Sequence, residues 1–246
     1  MELAIADRPS PNFNDRQADV SILVLHYTGM DDAEAAIDRL ADPDAKVSSH
    51  YVVAEDGAVT RMVDEDKRAW HAGAGFWNGV EDVNSASIGV EIVNGGHCYG
   101  LPEFPRRQID AVIALSDQIV ARWGIRPRDV IGHSDLAPER KLDPGERFPW
   151  ARLADHGIGL WPDPVSADHG LAYAPGLNEG EGLLSAQRLL FEIGYGIDTD
   201  GVYGPQTRAV VAAFQRRFRQ GYIDGLIDHE TFALIEAVHD VYLQGA

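Results

Sequence analysis

Residues 20–28 read VSILVLHYT, a short apolar run that ends in a histidine. Residues 20–25 are rich in β-branched side chains and lack polar alternation, which predicts a strand buried on both faces of a sheet. His26 follows that run directly. Because binding and catalytic side chains often lie where a buried strand meets solvent, His26 is the first candidate site residue.

Strand and helix patterns alternate around this run. Asp56-Gly57 is a turn signal between two β-rich segments, which predicts a hairpin. The segment 107–123 carries apolar side chains at helical spacing. The predicted strands are residues 20–25, 51–54, 58–63, 87–93 and 130–132, and the predicted helices are residues 32–40 and 107–123. We therefore expect an α/β fold with a mixed central sheet flanked by helices.

The chain changes character beyond about residue 155, where prolines and glycines cluster and helical periodicity is lost. Further on, Asp200-Gly201 and Asp224-Gly225 each begin a short repeated segment that precedes a helical pattern. Helical patterns cover about residues 183–193, 205–217 and 230–242. We expect a first domain at residues 1–160, a linker at residues 161–180 and a small three-helix domain at residues 181–246.

The 246 residues carry a formal net charge of −18, and 45% of them are hydrophobic. This is the composition of a folded protein without a general electrostatic attraction to nucleic acid or to an anionic membrane. Cys98 is the only cysteine, so no intrachain disulfide can form. The first residues lack a signal-peptide pattern, and no apolar run reaches the ~20 residues that span a bilayer. We expect a cytoplasmic monomer, with the periplasm as the alternative location, no nucleic-acid partner and no integral membrane segment.

A second histidine repeats the placement of the first. His133 follows the predicted strand 130–132, and Asp143 comes ten residues later in the segment GHSDLAPERKLDPG. Two histidines and a carboxylate suit a zinc site that keeps a fourth position for water. The alternative, that each histidine is an ordinary surface or core residue, remains open on spacing alone.

Two further residues have the chemistry of catalytic groups. Lys141 lies two residues before Asp143, so an extended segment places both side chains on the same side, where a lysine can stabilise an oxyanion. Its alternative is a solvated surface lysine. Glu91 lies within the apolar strand 87–93, where burial would shift its pKa as a general acid or base requires. Its alternative is an outward position on an exposed face of the sheet.

Several of these segments together resemble a known family. The matching segments, in chain order, are residues 23–28, 47–51, 69–73, 84–92 and 132–145. They resemble the zinc-dependent N-acetylmuramoyl-L-alanine amidases of the amidase type-2 family, in particular the AmpD- and AmiD-like bacterial members that act on muropeptides and use aspartate as third ligand. Residues 183–240 resemble the type 1 peptidoglycan-binding domain, a three-helix module.

The resemblance implies a zinc ion held by His26, His133 and Asp143. It implies that Glu91 is the general base, which takes a proton from the zinc-bound water, and that Lys141 stabilises the oxyanion. The bond cut would join the lactyl group of N-acetylmuramic acid, ordinary or 1,6-anhydro, to L-alanine. Peptidoglycan or muropeptides would be the partners.

The resemblance also implies a substrate groove. Its expected lining consists of His50, Trp70, His71, Asn84 and Trp77, with Arg61 and Arg68 as candidates for binding stem-peptide carboxylates. Two alternatives remain: a non-catalytic recognition protein on the same fold, and a zinc peptidase that cuts within the stem peptide. Because the C-terminal module is expected to be dispensable for chemistry, a chain ending near Trp161 is expected to retain activity on small muropeptides.

Overall fold

A six-stranded mixed sheet forms the centre of the N-terminal part of the protein. The computed structural model describes residues 3–30, 32–166, 170–174 and 176–244. Its strands are β1 (Ile5–Asp7), β2 (Phe13–Asp15), β3 (Ile22–Tyr27), β4 (Tyr51–Val53), β5 (Val59–Arg61), β6 (Lys67–Ala69), β7 (Ser87–Ile92), β8 (Val130–Gly132), β9 (Leu171–Tyr173) and β10 (Ile227–Asp228). The large sheet has the order β1-β5-β4-β7-β3-β8, and β2 pairs with β6 in a separate ribbon.

The strand order places the carboxyl ends of four parallel strands side by side. β4, β7, β3 and β8 run parallel to their neighbours, whereas β5 is antiparallel to β4, as the predicted hairpin requires. The ladder between β3 and β7 continues to Tyr27↔Ile92 and pairs His26 with Glu91. β3 is therefore shifted from the predicted residues 20–25, because backbone pairing continues past the last apolar side chain. His26 lies within the strand and not after it.

Helices cover both faces of the sheet. They are α1 (Ala33–Ala41), α2 (Val83–Ala86), α3 (Arg106–Trp123), α4 (His133–Leu136), α5 (Trp150–Ala154), α6 (Glu181–Ile193), α7 (Pro205–Phe218) and α8 (His229–Gln244), with 3-10 turns at His97–Tyr99 and Pro127–Asp129. On β3, Leu23 and Leu25 pack with α3 on one face, and Ile22 and Val24 point to the other. His26 shares this second face through the alternation of strand side chains.

The C-terminal region is built around two buried glutamines. The side chain of Gln187 accepts from the backbone N–H of Gly201 (2.7 Å) and donates to the carbonyl of Val202 (3.0 Å). Gln215 does the same at the second Asp-Gly segment, with Gly225 (2.8 Å) and Leu226 (2.8 Å). Each glutamine thus satisfies the buried backbone groups of one turn, which explains why the Asp-Gly segments recur.

The segment predicted as a linker, residues 161–180, contains a short strand. β9 lies within it and pairs antiparallel with β10, so the chain has joined the C-terminal region by Leu171. A two-stranded ribbon of this length has no periodicity that a sequence pattern could reveal. Residues 167–169 and 175 of that segment lie outside the described residues.

The C-terminal helices pack directly on the second face of the sheet. One continuous hydrophobic cluster contains Ile22 and Val24 from β3 together with Leu190 and Phe214 from α6 and α7. Two such regions that share a core are expected to unfold together. Within the described residues, no helix has the length and apolar character needed to cross a bilayer.

Replacing Gln187 by leucine is expected to destabilise the protein. The change leaves the N–H of Gly201 buried without its acceptor, at a cost of about 1–3 kcal/mol for the unsatisfied group. Urea unfolding monitored by circular dichroism measures the difference. Arg188→Gln, at the exposed neighbouring position, is the control. Equal unfolding midpoints for the two variants would show that the glutamine does not anchor the turn.

Candidate active site

Three predicted metal ligands converge at the carboxyl ends of the central strands. The Nδ1 atoms of His26 and His133 lie 2.9 Å apart, and each is 3.0 Å from Oδ2 of Asp143. His26 comes from the end of β3, and His133 begins α4 directly after β8. Asp143 is tied back to this helix because its carbonyl accepts from the N–H of Ser134 (2.9 Å).

The donor set and its outer hydrogen bonds fit a zinc ion. Nε2 of His133 lies 2.8 Å from the carbonyl of Ala72, which can only accept, so His133 carries its proton there and presents a lone pair at Nδ1. Lone pairs from two imidazoles and a carboxylate then point to one place, an arrangement that a shared cation stabilises. The three side chains are the group among the described residues with the composition and spacing of a metal site.

A chain of hydrogen bonds fixes the ring of His26 in the same way. The hydroxyl of Ser87 donates to the carbonyl of Val83 (2.5 Å), so its oxygen accepts from Nε2 of His71 (3.2 Å). Nδ1 of His71 is then the acceptor for Nε2 of His26, 3.0 Å away. The chain ends with the Nδ1 lone pair of His26 directed at the cluster.

A glycine in β7 makes this chain possible. A Cβ added at Gly89 would lie 2.4 Å from the ring of His71, so any larger residue would displace the imidazole. Asn84 holds the backbone on the other side, since its Oδ1 accepts from the N–H groups of His71 (3.0 Å) and Ala72 (2.8 Å). His71 therefore orients His26, a predicted metal ligand, and Asn84 orients His71.

Burial sets the protonation states of the ligands. It lowers the pKa of His26 to about 4, with the neighbouring His133 adding to the effect. Burial raises the pKa of Asp143, but the positive charge that His133 or His26 gains on protonation outweighs burial and holds this pKa below its usual value. At neutral pH the site therefore offers a neutral imidazole and an ionised carboxylate, which are the forms a metal requires.

Glu91 lies beside His26 and faces the same pocket. Its Oε2 is buried and has no hydrogen-bond partner among the described residues. Burial raises the pKa of Glu91 well above its usual value; the charge of Asp143 acts in the same direction, and Lys141 opposes it. The carboxyl group is thus a proton acceptor of increased basicity next to the metal ligands.

These groups form the floor of a cavity of about 420 Å³. Its lining includes the predicted residues His26, Trp70, His71, Glu91, His133, Lys141 and Asp143. One wall comes from α1 and the segment after it, with Ala36, Leu40 and Val47. Apolar surface next to a few convergent polar groups is the usual composition of a small-molecule site.

Three predicted groove residues, His50, Trp77 and Asn84, do not line this cavity. The ring of His50 is fully buried; its Nδ1 accepts from the N–H of Gly89 (2.9 Å), and burial lowers its pKa to about 3. Trp77 is also buried, with its ring edge-on to Tyr195 at 5.2 Å. His50 and Trp77 are packed within the scaffold, and the side-chain oxygen of Asn84 accepts hydrogen bonds from two backbone N–H groups.

The two arginines predicted to bind carboxylates lie elsewhere. Arg61 pairs with Asp7 (2.8 Å) and Arg68 with Asp82 (2.9 Å), both outside the cavity. Arg39 and Arg140 line the cavity instead. In the part of the chain that the structure describes, neither these two arginines nor Lys141 forms an ion pair. The charge of Lys141 acts on Glu91, and that of Asp143 acts on Arg140, but only at longer range. Three cations without an ion-pair partner favour an anionic ligand.

The sequence contained only a partial signal for these cations. Arg140 directly precedes Lys141 in the loop that carries Asp143, so its proximity could have been inferred. Its guanidinium donates to the carbonyls of Ala72 (2.5 Å) and Ala74. Arg39 lies on an exposed turn of α1, and only the packing of that helix brings it to the cavity.

Glu91→Gln is expected to raise the stability of the metal-free protein at alkaline pH. A raised pKa means that the folded state favours the protonated carboxyl; the resulting stability is present below the usual glutamate pKa and is lost as pH rises through the raised value. At pH 8 the variant should unfold at a higher temperature than the wild-type protein. Its free energy of unfolding should be larger by about 1.4 kcal/mol for each unit by which the pKa of Glu91 is raised. The difference should vanish near pH 4.

Calorimetry at both pH values measures this effect, with the exposed Glu236→Gln as control. If Glu91→Gln is no more stable than the wild-type protein at pH 8, the carboxylate is not held in an unfavourable environment.

Comparisons with known proteins agree with this geometry. Residues 16–146 match the family model described as N-acetylmuramoyl-L-alanine amidase, and residues 179–235 match a model for a peptidoglycan binding domain. The 1,6-anhydro-N-acetylmuramyl-L-alanine amidase AmpD of Escherichia coli is 33% identical over 59% of this chain and 87% of that protein.

Other relatives extend over both regions. The crystal structure of AmpDh3 from Pseudomonas aeruginosa has a TM-score of 0.75 at 29% identity and covers 96% of each chain. The complex of E. coli AmiD with anhydro-N-acetylmuramic acid-L-Ala-D-gamma-Glu-L-Lys has a TM-score of 0.80 at 35% identity and covers 93% of each chain. In sequence, AmiD of E. coli K12 is 38% identical over 92% of this chain and 84% of that protein. The chain therefore belongs to the N-acetylmuramoyl-L-alanine amidase family.

Proposed function

We propose that the protein is a zinc amidase that releases the intact stem peptide from muropeptides, with 1,6-anhydro-N-acetylmuramic acid as the sugar. The observation that carries this proposal is the convergence of His26, His133 and Asp143 beside Glu91 at the floor of one cavity. The anhydro sugar is supported by E. coli AmiD, whose structure holds an anhydromuramyl peptide described as its substrate.

Zinc would be held by His26, His133 and Asp143. When bound, it would lower the pKa of a water ligand towards ~7 and polarise the scissile carbonyl. The protein's own contribution is to fix both imidazoles through Ala72 and His71, so that their lone pairs need no reorientation before a metal binds.

Glu91 is suited to move the proton. Its carboxylate accepts the proton of the attacking water and passes it to the amine of L-alanine as the amide bond breaks. A base with an ordinary pKa would hold the proton too weakly for this transfer, and burial raises the pKa of Glu91 well above that range. Oε2 has no partner among the described residues, so it is available to a ligand.

Lys141 and the other cavity cations act on negative charge. The ammonium group of Lys141 lies on the loop of Asp143 and would stabilise the oxyanion that forms on the scissile carbonyl. Arg39 and Arg140 would bind the carboxylates of the stem peptide. Trp70, held by a hydrogen bond from its Nε1 to Oδ1 of Asn14 (2.6 Å), offers a ring face to the sugar.

A non-catalytic recognition protein requires less than this cavity provides. Binding a muropeptide does not need a buried carboxylate oxygen without a hydrogen-bond partner beside the predicted metal ligands, because burying such an oxygen lowers stability.

Product analysis tests the proposed reaction directly. The zinc-loaded protein is incubated with an anhydromuropeptide or with intact sacculi, and the products are identified by mass spectrometry. We expect an intact stem peptide and a free anhydro sugar, and no products from Glu91→Gln. Peptides cut internally would instead indicate a peptidase. Binding without any product would indicate a recognition protein.

The role of Arg39 is tested by kinetics. Arg39→Gln is expected to raise KM for an anhydromuropeptide about tenfold with little change in kcat, because the lost contact is made equally in ground and transition states. Arg8→Gln is the matched control. Arg8 is an exposed arginine outside the cavity, and it pairs with Asp38, the residue before Arg39 in α1. Equal KM values for the two variants would remove Arg39 from the substrate site.

A further inference from the structure

A buried arginine of the C-terminal region reaches across to the sheet. Arg217 of α7 donates from Nη1 to Oδ2 of Asp135 (2.9 Å) and from Nη2 to the carbonyl of Val130 (3.0 Å). The plane of its guanidinium lies over the ring of Trp150, 4.3 Å from the centroid. Only 5% of the side chain of Arg217 and 1% of that of Asp135 are exposed, so solvent does not screen this pair.

Asp135 fixes the turn that carries a metal ligand. Its Oδ2 also accepts from the N–H of Gly132 (2.8 Å), the residue directly before His133. Its Oδ1 accepts from the hydroxyl of Tyr195 (2.9 Å), which again belongs to the C-terminal region. The carboxylate thus closes the first turn of α4, and two side chains from outside the sheet determine where that carboxylate lies.

Arg217 therefore contacts the chain on both sides of His133. Val130, whose carbonyl it binds, begins β8, and Asp135 lies within α4. A planar guanidinium holds two acceptors at a fixed separation and orientation. The imidazole of His133 must stay 2.8 Å from the Ala72 carbonyl and within 3.0 Å of its co-ligands, so a shift of this turn displaces its Nδ1 atom.

We propose that Arg217 is a positioning residue for the metal site, so that the C-terminal helices complete the catalytic scaffold in addition to any wall binding. The inference rests on the proposed zinc site. It also opposes the expectation that a chain ending near Trp161 retains activity. Such a chain would lack both Arg217 and Tyr195, the side chains that hold the carboxylate of Asp135 in place, and would expose the ring of Trp77.

The test compares two buried arginines of the same region in the full-length protein. Arg217→Lys keeps the charge but replaces the planar fork by a single ammonium, which cannot hold both acceptors in the same geometry. Arg219→Lys is the matched control, because Arg219 is equally buried and pairs with Asp224 and Asp228 inside the C-terminal region. Arg217→Met and Arg219→Met form a second, stronger pair.

The readouts are the zinc dissociation constant, from competition with a chromogenic chelator, and the visible spectrum of the Co²⁺-substituted protein. We expect the zinc dissociation constant to rise about 10- to 100-fold in Arg217→Met, with a smaller rise and an altered Co²⁺ spectrum in Arg217→Lys. Both Arg219 variants should retain wild-type zinc affinity, even where their thermal stability falls equally.

The outcomes separate this inference from the proposed function. If the wild-type protein itself fails to bind zinc at one equivalent, the proposed cofactor is wrong. If it binds zinc and folded Arg217→Lys has the same dissociation constant and Co²⁺ spectrum, Arg217 does not position the site. Should Arg217→Met fail to fold, the lysine pair alone decides. Equal losses of affinity in the Arg217 and Arg219 variants would show a general effect of instability and would also overturn the inference.

Discussion

The burial of two imidazoles and a carboxylate within 3.0 Å of one another is the constraint on which the rest of the structure depends. Polar groups removed from water need partners, and lone pairs that converge on one place cannot be partners for each other. The carbonyl of Ala72 and the ring of His71 provide these partners, because they accept hydrogen bonds from Nε2 of His133 and Nε2 of His26 respectively. The same carbonyl also accepts from Arg140, which joins the metal ligands to the cavity wall.

Charge in this amidase is distributed unevenly. The chain as a whole carries −18, yet the cavity is lined by Arg39, Arg140 and Lys141, which form no ion pairs in the described part of the chain. A local cation cluster within an acidic protein attracts an anionic ligand at short range, while the overall charge disfavours polyanions such as nucleic acid. Glu91 stays neutral more readily in the same cavity because burial raises its pKa. The burial of Glu91 therefore lowers the stability of the protein and increases the basicity of the carboxylate.

The parts of the site that the sequence reveals are those set by local structure. His26, Glu91 and His133 are recognisable because each departs from an apolar strand pattern, and β-strand register then brings them together. The mixed sheet was predictable for the same reason. The burial of His50 and Trp77 could not be predicted, because it depends on contacts with Gly89 and Tyr195, which are distant in sequence and show no pattern linking them. β9 is too short to have a period.

Helix α7 shows why two matched family models do not make two independent units. Arg217 points to the turn of His133. Nε of its neighbour Arg216 lies 3.8 Å from Oε2 of Glu146, a residue of the N-terminal region. Glu146 binds Nε2 of His97 (3.0 Å), whose Nδ1 accepts from the hydroxyl of Tyr27 (3.0 Å) in the cavity wall.

Successive residues on a helix diverge by about 100°, so two adjacent arginines can reach two separate parts of one site. A C-terminal region that only tethered the enzyme to its substrate would have no need for buried charges at this contact, since an apolar surface of the same shape would hold the two regions together at lower cost. The ionic contacts instead specify one register between α7 and the metal-binding turn. The geometry of the active site is in this sense a property of the whole chain.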